Sequence, residues 1–377
     1  MDFNHTVQAV SVTLQTHVPA LLEGEPGVAK TAIVGAVLDQ LCDEVHTSIV
    51  ALHEPPEYGG FPVPQAATKD APARVALLPN DWVIRLAGAE KRAGLFLDEF
   101  SSGAPATRAA SMRGVHEKWW GAVQIPNLAV AAAMNPAEYA ENGFELGAAL
   151  SNRFCHLDWN MPTSYWVDQL VAGFPAPTAT RVPSNWRESK HMRDATTWLA
   201  TFANARPAVI QAMPASAALR AKAWPSFRSF TNTRDLLAAC LATGFGLDHA
   251  VTILCASGCV GAGAAHEFLT FCSECDLPDP EAVLAAPASL VLPARGDRAF
   301  AVLTSVVLAV LGNNTPQRWG RAWDVLAVAV DANRVAVAAS AARSLAQARP
   351  KGVRELPKAC TAFVPMLKLA GLITGSK

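Results

Sequence analysis

The chain is poor in charge. Only 17% of its 377 residues are Asp, Glu, Lys or Arg, against roughly 25% in soluble proteins. With 31 basic and 32 acidic residues the net charge is -1, so no overall positive field draws the protein to nucleic acid or anionic lipid. Long hydrophobic runs are missing too. The stretch Ala299 to Leu311 is interrupted by Thr304 and Ser305 and falls short of the ~20 residues that span a bilayer. The start, MDFNHTVQAV, has neither the basic opening nor the apolar core of a secretion signal. A cytoplasmic location is therefore expected, with the 8 cysteines reduced. There is no internal repeat, and no Ser or Cys lies on a turn that would make it a nucleophile. What is plentiful is apolar: 51% of residues, much of it alanine, which excludes disorder and points to helices packed on helices or on other subunits.

At ~150 residues per domain the length suggests two to three domains. Up to about residue 160 short apolar runs alternate with helical patterns, as in a parallel sheet covered on both faces. The expected strands are Ala20 to Leu22, His46 to Leu52, Gly94 to Leu97, Leu128 to Met134 and Phe154 to Trp159. Each ends in a turn or in a residue capable of chemistry, and open parallel sheets bind ligands beyond the carboxyl ends of their strands. Past Asn160 helical periodicity takes over, at Thr196 to Ala205, Thr233 to Thr243, His249 to Val260, Arg298 to Leu311, Arg318 to Ala332 and Arg334 to Ala348. Proline-rich stretches around Pro175 to Pro183 and from Leu277 to Gly296 read as connectors. The expected division is an α/β domain over 1–160, a helical domain over 161–285 and a C-terminal helical extension over 286–377.

The sharpest motif is GEPGVAKT, Gly24 to Thr31, placed after an expected strand and opening the helix Lys30 to Cys42. A phosphate loop needs glycine where backbone N–H groups curl toward the anion, a lysine for the β and γ phosphates and a Ser or Thr for magnesium. Gly24, Gly27, Lys30 and Thr31 meet those needs, with Glu25, Pro26, Val28 and Ala29 completing the loop. Ala29 stands where the strict pattern has glycine. Further on, LFLDEF, Leu95 to Phe100, ends an apolar strand in adjacent carboxylates. Such a pair is costly to bury unless it holds a cation or polarises water, although it can also cap the next helix. In the first sense Asp98 binds magnesium and Glu99 activates the attacking water.

These residues resemble the AAA+ ATPases, and among them the MoxR type, whose phosphate loop reads GxPGxAKT. AAAMNP places Asn135 where the family keeps its sensor 1 residue. LSNRF places Arg153 where the family supplies an arginine finger to the neighbouring subunit. WPSFRSF places Arg228 where the lid's sensor 2 arginine reaches back to the phosphates, with Arg234 as the competing candidate. The resemblance covers about the first 240 residues. It implies an AAA+ αβα P-loop domain with a parallel sheet, then an all-α lid and helical extension; ATP and Mg2+ as cofactors; and a homo-oligomeric, hexameric ring. It also implies a chaperone-like remodelling role on a protein client, often one with a von Willebrand factor A domain. A nucleic-acid motor and a nucleotide-gated scaffold are the alternatives.

In HEPPEYGGFPVPQ, Tyr58 and Phe61 flank two glycines, and such aromatics can grip a client or pack as a rigid turn. FPVPQAATKDAPARVALLP, Phe61 to Pro79, resembles the helix-2 insert of the MoxR branch, and KWWGAVQIP its pre-sensor 1 hairpin. Trp119 and Trp120 there should point to opposite faces of a strand, one to the core and one outward. Cys255, Cys259, Cys272 and Cys275 have spacings at which zinc is imaginable, though in apolar helices cysteine more often fills the core.

Overall fold

The computed structural model describes residues 2–69, 72–136, 139, 146–275, 277–353 and 357–372. Nine strands are present among them: β1 (Ala20–Glu23), β2 (Glu44–Ile49), β3 (Phe61–Gln65), β4 (Arg74–Leu78), β5 (Ala93–Asp98), β6 (Trp119–Trp120), β7 (Val123–Gln124), β8 (Leu128–Met134) and β9 (Cys155–Asp158). Five form a parallel sheet in the order β2-β5-β8-β1-β9. The five expected strands are these five, with ends shifted by a few residues. The inner strands β5 and β8 read as unbroken apolar runs because helices cover both their faces; every residue of β8 is buried.

The chain leaves β1 toward β2, returns through β5 and β8, and passes to β9 on the other side of β1. The crossovers therefore diverge at β1, and the crevice outside its carboxyl end is where an α/β sheet takes ligand. Glu23 pairs in register with Met134 of β8 and Asp158 of β9, which brings their carboxyl ends level.

Contacts group the chain into two compact units, residues 1–186 with 210–267, and residues 187–209 with 268–377. The three segments expected from the sequence divide the chain on other grounds. In the first unit the helices Phe227–Thr243 and Ala250–Val260 belong with the sheet. The latter packs so close to β9 that a Cβ at Gly258 would lie 2.4 Å from the His156 carbonyl and 2.7 Å from Cys155 Sγ, so only glycine fits. This packing also sets the cysteines. The Cys155 thiol meets Cys259 and Cys255, and the Cys240 thiol meets Cys255, all four buried; contact with the neighbouring cysteines and burial hold the Cys155 and Cys240 thiols well above their ordinary range. Among the described residues no group of three or more His, Cys, Asp or Glu is arranged to hold a metal ion.

The second unit is helical, with the helices Lys190–Ala205, Gly296–Gly312, Pro316–Asp331 and Val335–Gln347. Its core sets Trp319, Trp323 and Phe363 against the small faces of Ala338, Ala341 and Ala342. The buried Trp319 Nε1 donates to Leu345 O at 2.7 Å. Alanine lets these helices approach closely, which accounts for part of the alanine content without reference to any partner. No described helix is long and apolar enough to cross a membrane.

Among the described residues the buried Lys118 joins no ion pair. Lys118, 5% exposed, ends the helix Pro105–Glu117 in a left-handed conformation (φ 63°) and donates to Val115 O at 2.8 Å. Burial pushes its ammonium down to about 7 from an ordinary 10.5. Below pH 7 the lysine is charged in both folded and unfolded chains, and the fold bears the full desolvation cost. Between the two values the unfolded chain binds more protons, so stability rises with pH. Lys118→Met should therefore stabilise the fold most near pH 6, by on the order of 2 kcal/mol, and little above about pH 10. Thermal unfolding across that range checks it; an equal gain at every pH would remove the buried charge as the cause.

Candidate functional site

The carboxyl ends of β1, β5 and β8 bring the motif residues together. Lys30 opens the helix Lys30–Leu41 and is buried. Its Nζ donates to Gly24 O and Glu25 O, both at 2.7 Å, and to Asn135 Oδ1 at 2.9 Å. Burial lowers its pKa, and the charges of Glu99 and Asp98 oppose that shift. Thr31 Oγ1 donates to Asp98 Oδ2 at 2.6 Å. The Asp98 carboxylate also accepts from Glu99 N at 2.9 Å. Asn135, 8% exposed, donates through Nδ2 to Glu99 Oε2 at 3.2 Å, and Ser102 Oγ donates to the same oxygen at 3.3 Å. Asn135 thus links the loop lysine to the carboxylate of the second motif.

Backbone conformation shapes the loop. A Cβ at Gly24 would lie 2.4 Å from Trp159 O, and the Trp159 indole donates to Val28 O at 2.9 Å, so the loop is seated on the end of β9. Gly27 and Ala29 both take left-handed φ, 80° and 56°, which turns successive N–H groups into the concavity that binds phosphate. At Ala29 that conformation costs roughly 1–2 kcal/mol, the reason glycine is the commoner residue there. Ala29→Gly should raise stability by a net ~0.5–1 kcal/mol after glycine's own entropy cost; a lower melting temperature would refute the strain. Glu99 is also left-handed, with φ 52°, a conformation held by its bonds to Asp98 and Asn135, and strain of this kind gathers at reacting groups.

The donor set fits a magnesium nucleotide. Thr31 and Asp98 put a hydroxyl and a carboxylate oxygen side by side, the hard oxygen ligands magnesium prefers, and Lys30 faces the loop. Beside the loop lies a cleft of about 310 Å³ lined by Gly27, Ala32, Ile33, Tyr165, Trp166 and Phe174 among others. Its apolar walls suit a flat base. The sequence reading treated Pro175 to Pro183 as a connector and passed over the helix Thr163–Ala172, which has no buried residue. The adjacent aromatics Tyr165 and Trp166 just after β9 were the available signal.

The other candidates separate. Tyr58 and Trp120, 1% and 0% exposed, sit with Trp82 in one aromatic cluster, with ring centroids 5.3 to 6.3 Å apart. Tyr58 Oη meets Ser48 Oγ at 2.6 Å, and burial raises its pKa to about 12. These two are therefore core residues, which withdraws them as client contacts. Phe61 is 42% exposed on the β3–β4 hairpin, and Trp119 lies partly exposed under the Arg113 guanidinium, 4.8 Å from the ring centroid. Arg234 is committed to Asp235, at 2.8 and 2.6 Å. Arg153 and Arg228 join none of the bonds of the Lys30 network. Arg153 donates through Nη1 to Ala149 O, and Arg228 lies close enough to Arg153 to help lower its pKa.

The chain matches no protein-family model and no curated protein. Among solved structures it is similar to a Cytophaga hutchinsonii protein described as a "putative ATPase", at 16% identity and a TM-score of 0.37, over 63% of this chain and 74% of that one.

Proposed function

We propose that this protein is an ATP-hydrolysing AAA+ ATPase of the MoxR type, which works as a homo-oligomeric ring and remodels a protein client. The observation that carries the reading is the single hydrogen-bonded network of Lys30, Thr31, Asp98, Glu99 and Asn135 at the switch point of the sheet. Lys30 binds the β and γ phosphates, the loop N–H groups cradle them, and Thr31 and Asp98 hold Mg2+, which supplies charge neutralisation at the phosphates. Glu99 takes the proton of the attacking water, and Asn135 holds the Glu99 carboxylate toward the γ-phosphate end of the loop. The cleft beside Trp166 takes the base.

The β3–β4 hairpin supports a protein client. It exposes Phe61, Val63 and Leu78 on one face of a two-stranded ribbon and Val75 and Leu77 on the other, at 37 to 63%. By the resemblance stated above, a partner with a von Willebrand factor A domain is the client class to try first. ATP hydrolysis by the assembled wild-type chain, set against Lys30→Ala, tests the enzyme claim. Turnover that Lys30→Ala abolishes supports it; a wild-type oligomer without turnover removes it.

A further inference from the structure

The chain leaving the helix Thr163–Ala172 turns through Gly173 and Phe174, both in left-handed φ, 78° and 54°, and runs on through PAPTATRVP to Pro183. Prolines at 175, 177 and 183 hold the residues before them extended and offer no N–H to a sheet. Phe174, Pro175, Ala176 and Pro177 form one wall of the 310 Å³ cleft beside the phosphate loop.

Two glutamines hold this strap, each in the same way. Gln40, in the last turn of the helix Lys30–Leu41, donates through Nε2 to Pro177 O at 2.7 Å and accepts through Oε1 from Ala179 N at 3.0 Å. Gln15, the C-cap of the helix Phe3–Leu14, donates to Thr180 O at 2.7 Å and accepts from Val182 N at 3.1 Å. The second Nε2 hydrogen of each goes to the carbonyl four residues back, Ala36 O and Ser11 O, both at 2.8 Å. Both hydrogens and the oxygen of each amide are thus committed, so neither side chain turns without breaking three bonds. A carbonyl at one residue and the N–H two residues on are the pair that a single residue of a parallel strand bonds. The glutamines therefore do for the strap what a neighbouring strand would do, and Arg181 adds a bond to Gln40 O.

One helix consequently serves both ends of the site. Lys30 opens it at the phosphate loop, and Gln40 fixes the cleft wall about 15 Å further along its axis. Ile33 and Ala36 line the cleft between them. Among the described residues no charged side chain lines that cleft, so it suits the flat, neutral end of a ligand whose anionic end lies at the loop.

We propose that Gln40 and Gln15 are positioning residues for the nucleobase: they hold the strap 174–182 as a fixed wall on which the base seats, and so set how much affinity the base adds to that of the phosphates. The inference rests on the ATPase reading above. Binding of ADP set against inorganic tripolyphosphate, which has phosphates and no base, tests it. Gln40→Met, similar in length and unable to make either strap bond, should weaken ADP about tenfold and raise KM for ATP alike, with kcat at saturating ATP and tripolyphosphate affinity within about twofold of wild type. Gln40→Glu keeps an oxygen for Ala179 N and loses the donor to Pro177 O, and its ADP affinity should fall between the two. Gln15→Met, which frees the end of the strap farther from the cleft, should weaken ADP about threefold. Lys30→Ala should show the opposite pattern, weakening both ligands. In the wild-type chain ADP should slow hydrogen exchange at the Ala179 and Val182 amides and tripolyphosphate should not, a readout that needs no variant. Equal weakening of ADP and tripolyphosphate by Gln40→Met, unchanged ADP affinity in the folded variant, or equal protection of the two amides by both ligands overturns the proposal. Wild-type chains that bind neither ligand overturn the ATPase reading instead.

Discussion

Arg153→Ala should slow ATP hydrolysis by the assembled protein about 10³- to 10⁵-fold, the contribution of an arginine finger to phosphoryl transfer. Nucleotide affinity should barely move, because Arg153 shares no bond with the Lys30 network and stands at the amino end of the sheet. Wild-type chains at concentrations too low to assemble should show the same deficit, because in the proposed ring the arginine serves a neighbouring copy. Steady-state turnover against protein concentration, for both proteins, checks this. Normal hydrolysis by Arg153→Ala would show that the γ-phosphate charge is neutralised from within the subunit.

Glu99→Gln should lower turnover about 10²- to 10⁴-fold, the span assigned to a positioned general base, while ATP stays bound. Glutamine keeps an oxygen that can accept from Asn135 Nδ2 and Ser102 Oγ, as Glu99 Oε2 does at 3.2 and 3.3 Å, so the loop geometry should survive. What is lost is the basic oxygen. Filter retention of labelled ATP beside a hydrolysis assay separates the two, and a variant hydrolysing within tenfold of wild type would disqualify Glu99. The trapped complex is also the natural bait for a client, since it holds the ATP-bound conformation.

The Lys30 network was legible because each member sits at a strand end or helix start, where local pattern and chemistry coincide. Strand ends at Leu22, Leu97 and Met134 predicted where Lys30, Asp98 and Asn135 would meet, and the sheet order brings them there. What escaped prediction depends on contacts distant in sequence. Tyr58 and Trp120 carry no local mark of burial; they are core because Trp82 packs against both and because Gly114 leaves room, a Cβ there falling 2.3 Å from the Trp120 ring. The cysteine spacings suggested pairs within one stretch, whereas Cys255 and Cys259 meet Cys155 and Cys240 through the packing of a helix on β9. Asn152 was one more polar residue in LSNRF until the fold set it against Trp224 and Ser226. The same holds for Arg228, whose motif predicted a role but whose neighbours place it beside Arg153.

The short strand β9 has one further consequence. At its carboxyl end Trp159 holds Val28 and closes on Gly24; at its amino end, about 10 Å away along the four-residue strand, the turn that carries Arg153 leads in. On the ring reading proposed above, the strand would link the phosphate loop of its own site to an arginine offered to the next. In such a ring each copy would be both receiver and sender, and the state of one site would be handed to the next through the strand. The proposed ring would then have a sense of direction, set by the chain direction of β9.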